Sequence, residues 1–418
     1  MANEFKKILK NTGFLKLWSS QILSQVSINI MNFLLLTRLF VLTGSTIATS
    51  MLWVAYSLPA IFFGPIGAAA VDLVNRRKML MITNFLQGLT IFSYFLFHGQ
   101  TTFILYGVVM IYSLFNQFYS PAEAASLPNV VTKLELPQAN SLFFFTLQTS
   151  LVVGFGFAGI LQSVIGFNGS LLLCSIFLFL AFISTWLLPD IKIVGKPFFS
   201  FEHVLKTIYE SILEGYEFIR KNKFIELPLI LLLGLQACLS MIVVNLPAIA
   251  SQVLNIPLNL SGVSVVVPAG IGAVLASVIV TRMLKKGIRK KIIIEYCLAF
   301  VGISMLLIGV LVPFAPQFVR SFITPLVIIF VGFGYMGVDI PTITFIQEIT
   351  PSWFRGRVFG NLGFLITIIN IFPVFFSGAI SEIFGARTFV SLIGLGATLA
   401  AIYIFKRGQG LIEKKYTV

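Results

Sequence analysis

Residues 200–223 read SFEHVLKTIYESILEGYEFIRKNK, and here the polarity of the chain inverts. Phe201, Val204, Leu205, Ile208, Ile212, Leu213, Tyr216 and Ile219 recur at three-and-four spacing, with Glu202, Lys206, Glu210, Glu214 and Glu217 opposite them. That pattern predicts an amphipathic surface helix. Ser200 suits its N-cap, and Arg220, Lys221 and Lys223 suit the negative end of its dipole. On both sides the chain returns to long apolar runs. The stretch 191–225 is therefore expected to be a linker between two apolar halves, residues 1–190 and 226–418. A regulatory or partner-binding element is the other reading of the same helix.

With 57% hydrophobic and 11% charged residues and a mean hydropathy of +0.98, the 418-residue chain has too little polar surface for a water-soluble globule. Its apolar runs approach the ~20 residues that carry a helix across a ~30 Å hydrocarbon core, and lack the short alternation of barrel strands. They fall near 17–41, 47–71, 79–98, 102–120, 139–165, 170–189, 227–251, 261–283, 291–313, 321–346, 357–381 and 385–405. The predicted fold class is an all-α polytopic membrane protein with twelve transmembrane helices in two pseudo-symmetric six-helix bundles. If the N-terminus is cytoplasmic, all but Arg38, Arg320 and Arg387 of the 29 lysines and arginines fall on the cytoplasmic side. The net charge of +14 then reports topology in a plasma membrane, with no nucleic-acid partner and both termini inside. Lys6, Lys7, Lys10 and Lys16 precede a first span expected to stay uncleaved.

Polar residues inside the spans mark the candidate site. Gln21, Gln25, Asn29 and Asn32 recur at four, four and three residues, so they share one helix face. Polar groups in hydrocarbon need partners or water, so this face is expected to line a cavity or to bond a neighbouring helix. The fourth span carries Tyr112, Asn116 and Ser120 at spacing four, with Ser113 and Gln117 one step round. In the tenth, Tyr335, Asp339 and Thr342 share a face. Asp339 is the acid most clearly inside a span, whereas Glu123, Glu295 and Glu348 lie close to span ends. It is the proton-coupling candidate, the alternative being a salt bridge to Arg282 or another basic residue.

No GxxxxGK[ST] phosphate loop occurs, so transport energy would come from a gradient or a separate subunit. The two histidines, His98 and His203, and the scattered Cys174, Cys238 and Cys297 assemble neither a catalytic arrangement nor a metal-ligand spacing. No enzyme activity, metal or cofactor is expected.

Residues 64–80, GPIGAAAVDLVNRRKML, resemble the signature Gly-x-x-x-Asp-Arg-x-Gly-Arg-Arg/Lys of the major facilitator superfamily. Asp72, Arg76 and Arg77 stand in matching places; Ala68, Leu73 and Asn75 depart from it. The resemblance implies a cytoplasmic latch, in which the Asp caps a helix of the opposite half and the basic residues pair with an acid on the fourth span, here Glu123. Residues 120–142, SPAEAASLPNVVTKLELPQANSL, are similar to the loop after the fourth span in the macrolide-efflux and enterobactin-export branch. PTITFIQEITPSWFRGRV, 341–358, echoes it 220 residues on, and Arg289, Lys290 and Lys291 follow Arg76, Arg77 and Lys78 by 213. The function that this resemblance implies is export of a small amphipathic molecule, drug-, macrolide- or siderophore-like, by alternating access and proton antiport, in a monomer. Substrate would bind near the midplane between parallel halves. A lysophospholipid flippase and a non-transporting receptor are the alternatives.

Overall fold

The computed structural model describes residues 7–71, 73–97, 101–190, 223–350 and 355–407, excluding the side chains of 223–225, 355–365 and 407. The linker helix expected at 200–219 and the latch residue Asp72 lie outside the described residues. The first half forms α1 (Thr12–Thr43), α2 (Thr46–Ala70), α3 (Arg76–Phe97), α4 (Phe103–Val130) and α5 (Leu136–Trp186). The second forms α6 (Lys223–Val244), α7 (Val267–Lys285), α8 (Lys290–Leu306), α9 (Gln317–Ile349), α10 (Arg355–Phe384) and α11 (Ala386–Arg407). Between α6 and α7, and after α8, lie π-helical turns at Ile249–Val253, Gly262–Val266 and Leu307–Leu311.

Eleven of these helical stretches, the shortest of 19 residues, are long and apolar enough to cross a membrane. At ~1.5 Å per residue even 19 residues reach about 28 Å, close to the thickness of the hydrocarbon core. Helices are what such a solvent demands, because they satisfy their own backbone N–H and C=O groups. The 51-residue α5 holds two spans, broken at Gly166, whose φ of 75° and ψ of 171° leave the helical region. The twelve expected spans are thus all present. Their outward faces carry aromatic and aliphatic side chains, Phe103 at 81% and Phe318 at 76% exposure among them, as a lipid solvent requires.

The chain divides into two compact units, Met1–Leu42 with Val54–Ile208 and Thr43–Trp53 with Tyr209–Val418. In the first, α3 packs on α4 and α5; in the second, α8 packs on α9 and α11, α7 on α9, and α10 on α6 and α11. Small residues set these contacts, since packing rather than water drives helix association in lipid. A Cβ at Gly272 of α7 would lie 2.0 Å from the Ile329 carbonyl oxygen, and one at Gly332 of α9 would lie 1.9 Å from that of Ala269. The helix starts also repeat: α3 and α8 begin 214 residues apart, as do α4 and α9.

One boundary differs from expectation. The fourth helix runs on to Val130 through Pro121 and Pro128, where sequence pattern placed a loop from residue 120. Pro121 has no N–H for the carbonyl of Gln117, one turn back. That carbonyl oxygen instead faces Gly67 of α2, where a Cβ would stand 2.0 Å away. The freed acceptor meets the small residue of a neighbouring helix, and the helix continues.

Candidate functional site

The polar stripe of α1 divides by burial. Gln21 is fully buried together with Ser20, Ser24 and Ser27, while Gln25, Asn29 and Asn32 are half-buried. The Asn29 amide returns to its own helix, donating to the Gln25 carbonyl at 2.8 Å. Gly154 of α5 closes on the same residue, with a Cβ position 2.4 Å from Asn29 Cβ. In α4, Tyr112 is fully buried, whereas Asn116 and Gln117 are half-buried. Asn116 Nδ2 donates to the Tyr56 hydroxyl of α2 at 3.5 Å, and the Ser113 hydroxyl donates to the Tyr56 carbonyl at 2.6 Å. Gln117 is occupied on its own helix, through the Ser113 carbonyl at 3.1 Å. The first unit therefore offers half-buried amides on α1 and α4, with Tyr56 beside the α4 pair.

The second unit offers a corresponding group. The Tyr335 hydroxyl donates to Gln236 Oε1 of α6 at 3.2 Å, and Asn370 of α10 donates to the Ser240 hydroxyl at 3.2 Å. Gln236 and Ser240 lie one turn apart on α6, and Tyr335 and Asp339 one turn apart on α9. Thr342 is fully buried and donates to its own Val338 carbonyl at 2.6 Å. The Asp339 side chain is only partly exposed, yet its Oδ1 is buried without a hydrogen-bond partner. Among the described residues no ion pair joins it to Arg282, which is exposed. Two other acids of this half are matched: Glu295 pairs with Lys291 at 3.1 Å and Glu348 with Lys290.

The latch residues that are described hold the start of α3. Arg76 donates to the Ala125 carbonyl of α4 at 2.9 Å. Arg77 forms an ion pair with Asp190 at 3.3 Å and also donates to the Trp186 carbonyl, so α3 is tied to the end of α5. Asn75 caps α3 by accepting from the Lys78 N–H at 3.2 Å. Glu123 has a different neighbourhood from the one expected. It is 6% exposed and accepts from the Tyr119 hydroxyl at 2.6 Å.

The three arginines set apart by the loop count are used locally. Arg38 lies 5.3 Å from the ring centroid of Phe167, next to the Gly166 break. Arg320 donates to the Pro313 and Ala315 carbonyls, and Arg387 to those of Gly309 and Val310 while covering the Phe314 ring. Both satisfy carbonyls left open where α8 unwinds.

Sequence reasoning missed Tyr56, Gln236, Ser240 and Asn370. Tyr56 adjoins Ser57 in α2, and Asn370 shares α10 with Thr367, Ser377 and Ser381, small hydroxyls that a helix can satisfy on its own carbonyls and that therefore mark a site weakly. Gln236 and Ser240 do carry a four-residue spacing, the same signal that marked α1.

Residues 17–372 match the Major Facilitator Superfamily. The chain is 24% identical over 393 residues to the uncharacterized MFS-type transporter YfiS of Bacillus subtilis (strain 168), covering 91% of this chain and 89% of that protein. It is 23% identical over 415 residues to YfmI of the same strain, described in the same words, covering 95% and 97%. Among solved structures, a mutant of the nucleoside transporter NupG superposes with a TM-score of 0.74 at 15% identity, covering 94% of this chain and 99% of that one. An auto-inhibited POT family peptide transporter superposes with a TM-score of 0.69 at 13% identity, covering 97% of each chain. At those identities the two structures speak for the fold alone. Twelve spans in two repeating halves, together with a family match across most of the length, make this chain a membrane transporter of the Major Facilitator Superfamily.

Proposed function

We propose that the protein exports a small amphipathic organic molecule in exchange for protons, with Asp339 as the group that couples the two. The observation that carries this reading is the Asp339 carboxylate: a buried oxygen without a partner, in a membrane helix whose neighbouring acids are ion-paired. A buried acid fixed by a basic residue serves the scaffold, whereas one without such a partner can change charge as its surroundings change. Gln236, Tyr335, Ser240 and Asn370 supply donors and acceptors for substrate on this half. Gln25, Asn29, Asn32, Asn116 and Gln117 supply them on the other. Gln21, Tyr112 and Thr342 back these faces from buried positions. The basic loops argue for a bacterial plasma membrane with both termini in the cytoplasm. Asp72, Arg76 and Arg77 then belong to the cytoplasmic end, where Arg76 and Arg77 steady α3 during alternating access. The protein works as a monomer in this reading.

Everted vesicles from a pump-deficient host test it, with macrolides, siderophores and lysolipids compared as substrates. Asp339→Asn is expected to abolish gradient-driven export while leaving substrate binding and protein level intact, and Asp339→Glu to retain part of the activity. Export by the Asn variant with an unchanged pH profile, or its failure to accumulate in the membrane, removes the coupling role. Lysolipid movement without proton release would replace exchange with the flippase reading.

A further inference from the structure

Glu123 is a buried acid held by neutral groups, and these groups continue away from it in a line. The Tyr119 hydroxyl donates to its Oε1 at 2.6 Å. The Gln21 side chain of α1 lies beside the same carboxyl. Tyr119 in turn accepts from the Ser24 hydroxyl at 3.0 Å and has Ser20 beside it, both on α1. Ser20 accepts from Asn84 Nδ2 of α3 at 3.1 Å. The line therefore runs Asn84, Ser20, Tyr119, Glu123 across three helices of the first unit. Every side chain in it is buried.

At its α3 end the line meets groups that protein alone leaves unsatisfied. Gln87, one turn along α3 from Asn84, is fully buried, and neither its Oε1 nor its Nε2 has a partner. The Asn84 Oδ1 and Gln21 Oε1 are orphaned as well. Four buried polar atoms on three side chains, three acceptors and one donor, match the bonding of bridging water, which gives two protons and accepts others. An apolar core would not retain these residues, since each unpaired group carries its full desolvation cost.

We propose that α1, α3 and α4 enclose a hydrated seam that delivers protons to Glu123, a proton-binding site in the first unit separate from Asp339. The proposal rests on the proton-exchange reading above. In the step, the Tyr119 O–H bond breaks as an O–H bond forms on Glu123 Oε1. The Tyr119 hydroxyl is restored from Ser24, which donates to it, and that of Ser24 from a protonated seam water, so the net change is one proton moved from that water to Glu123. The groups facing Glu123 are Tyr119 on its own helix and Gln21 on α1, with Ser20 and Ser24 of α1 behind them at the Tyr119 hydroxyl. The Arg76 guanidinium of α3 lies on the Ala125 carbonyl two residues further along α4. A proton arriving on Glu123 therefore meets hydroxyls and amides there, while the guanidinium is engaged with the helix backbone.

Infrared difference spectra of the purified protein in nanodiscs after a pH jump test the seam without any transported substrate. A carboxyl C=O band is expected in the native protein and absent from Glu123→Gln. Its rise should be slower by at least about tenfold in Tyr119→Phe and in Gln87→Leu, the loss expected when a positioned proton carrier is removed. Gln87→Leu should also melt lower, because it removes a hydrogen-bonded group. A band unchanged in Glu123→Gln overturns the proposal. So does a Gln87→Leu protein that melts higher and protonates at the native rate, since the seam is then dry. If instead the native vesicles export without proton exchange while the Glu123 band persists, the failure belongs to the coupling reading and the site stands.

Discussion

Replacing Gly332 by alanine adds one methyl group where α7 and α9 cross. The new Cβ would lie 1.9 Å from the Ala269 carbonyl oxygen and 2.8 Å from its Cα, both backbone atoms that no rotamer change can move. Ordinary contact begins at 3.4 Å. The helices must therefore separate by about 1.5 Å at that point, and a gap of ~0.5–1 Å already forfeits a quarter to a half of each pairwise attraction. Forced overpacking typically costs ~1–3 kcal/mol, and because the obstacle is rigid we expect the upper end, about 3 kcal/mol. For a cooperative unit of the second unit's size, ~2–4 °C per kcal/mol lowers the melting temperature of the detergent-solubilised protein by about 6–12 °C. Gly234 of α6 is the control, because a Cβ there meets nothing within 4 Å. Alanine at that position should hold or raise the melting temperature, through a helix-propensity gain of up to ~1 kcal/mol. Gly272→Ala should resemble Gly332→Ala, and the double variant should cost less than both singles summed, because one displacement makes room for two methyls. A Gly332→Ala protein that melts with the native one, or additive losses in the double variant, would refute the close crossing.

Gly166→Ala should cost about 1–3 kcal/mol through the backbone alone, since its conformation is one that essentially only glycine occupies. Because a Cβ there meets no atom within 4 Å, serine in its place should cost the same, measured by thermal melting. At Glu135, the backbone N–H of Thr132, its hydroxyl and Lys7 hold the carboxyl below its ordinary value. Its stabilisation is complete above the unfolded carboxylate pKa of ~4.3 and is lost as pH falls through the lowered folded value. The difference in melting temperature between native protein and Glu135→Gln should be present at neutral pH and vanish in strong acid.

The spans were legible because hydrocarbon imposes a length and a composition that any twenty-residue window reveals. What failed was local. Pro121, Pro128 and Glu123 made 120–142 read as a loop, since a proline and a charge normally end a helix. The close approach of Gly67, which lets α4 continue, is a contact between helices and has no trace in α4 itself. The stripe Gln21, Gln25, Asn29 and Asn32 was correctly seen as one face, yet its burial changes along the helix. Neighbours bury Gln21 and leave the other three half-open, and periodicity cannot report which neighbours arrive. Asp339 was visible as an acid within a span. Its lack of a basic partner among the described residues emerged only with the structure.

The shared spacing of helix starts has a consequence for how the two halves have diverged as copies of one unit. Counted from Phe103, Glu123 is residue 21 of α4; counted from Gln317, Asp339 is residue 23 of α9. Two residues turn a helix by about 200°, so the same helix in each copy carries its acid on nearly opposite faces. One of the vacated positions is closed to a swap. Residue 21 of α9 is Gly337, where a Cβ would already lie 2.3 Å from the Cys297 sulfur, whereas residue 23 of α4 is the half-buried Ala125. The two halves place equivalent helices at one spacing, and each carries its carboxylate on a different side.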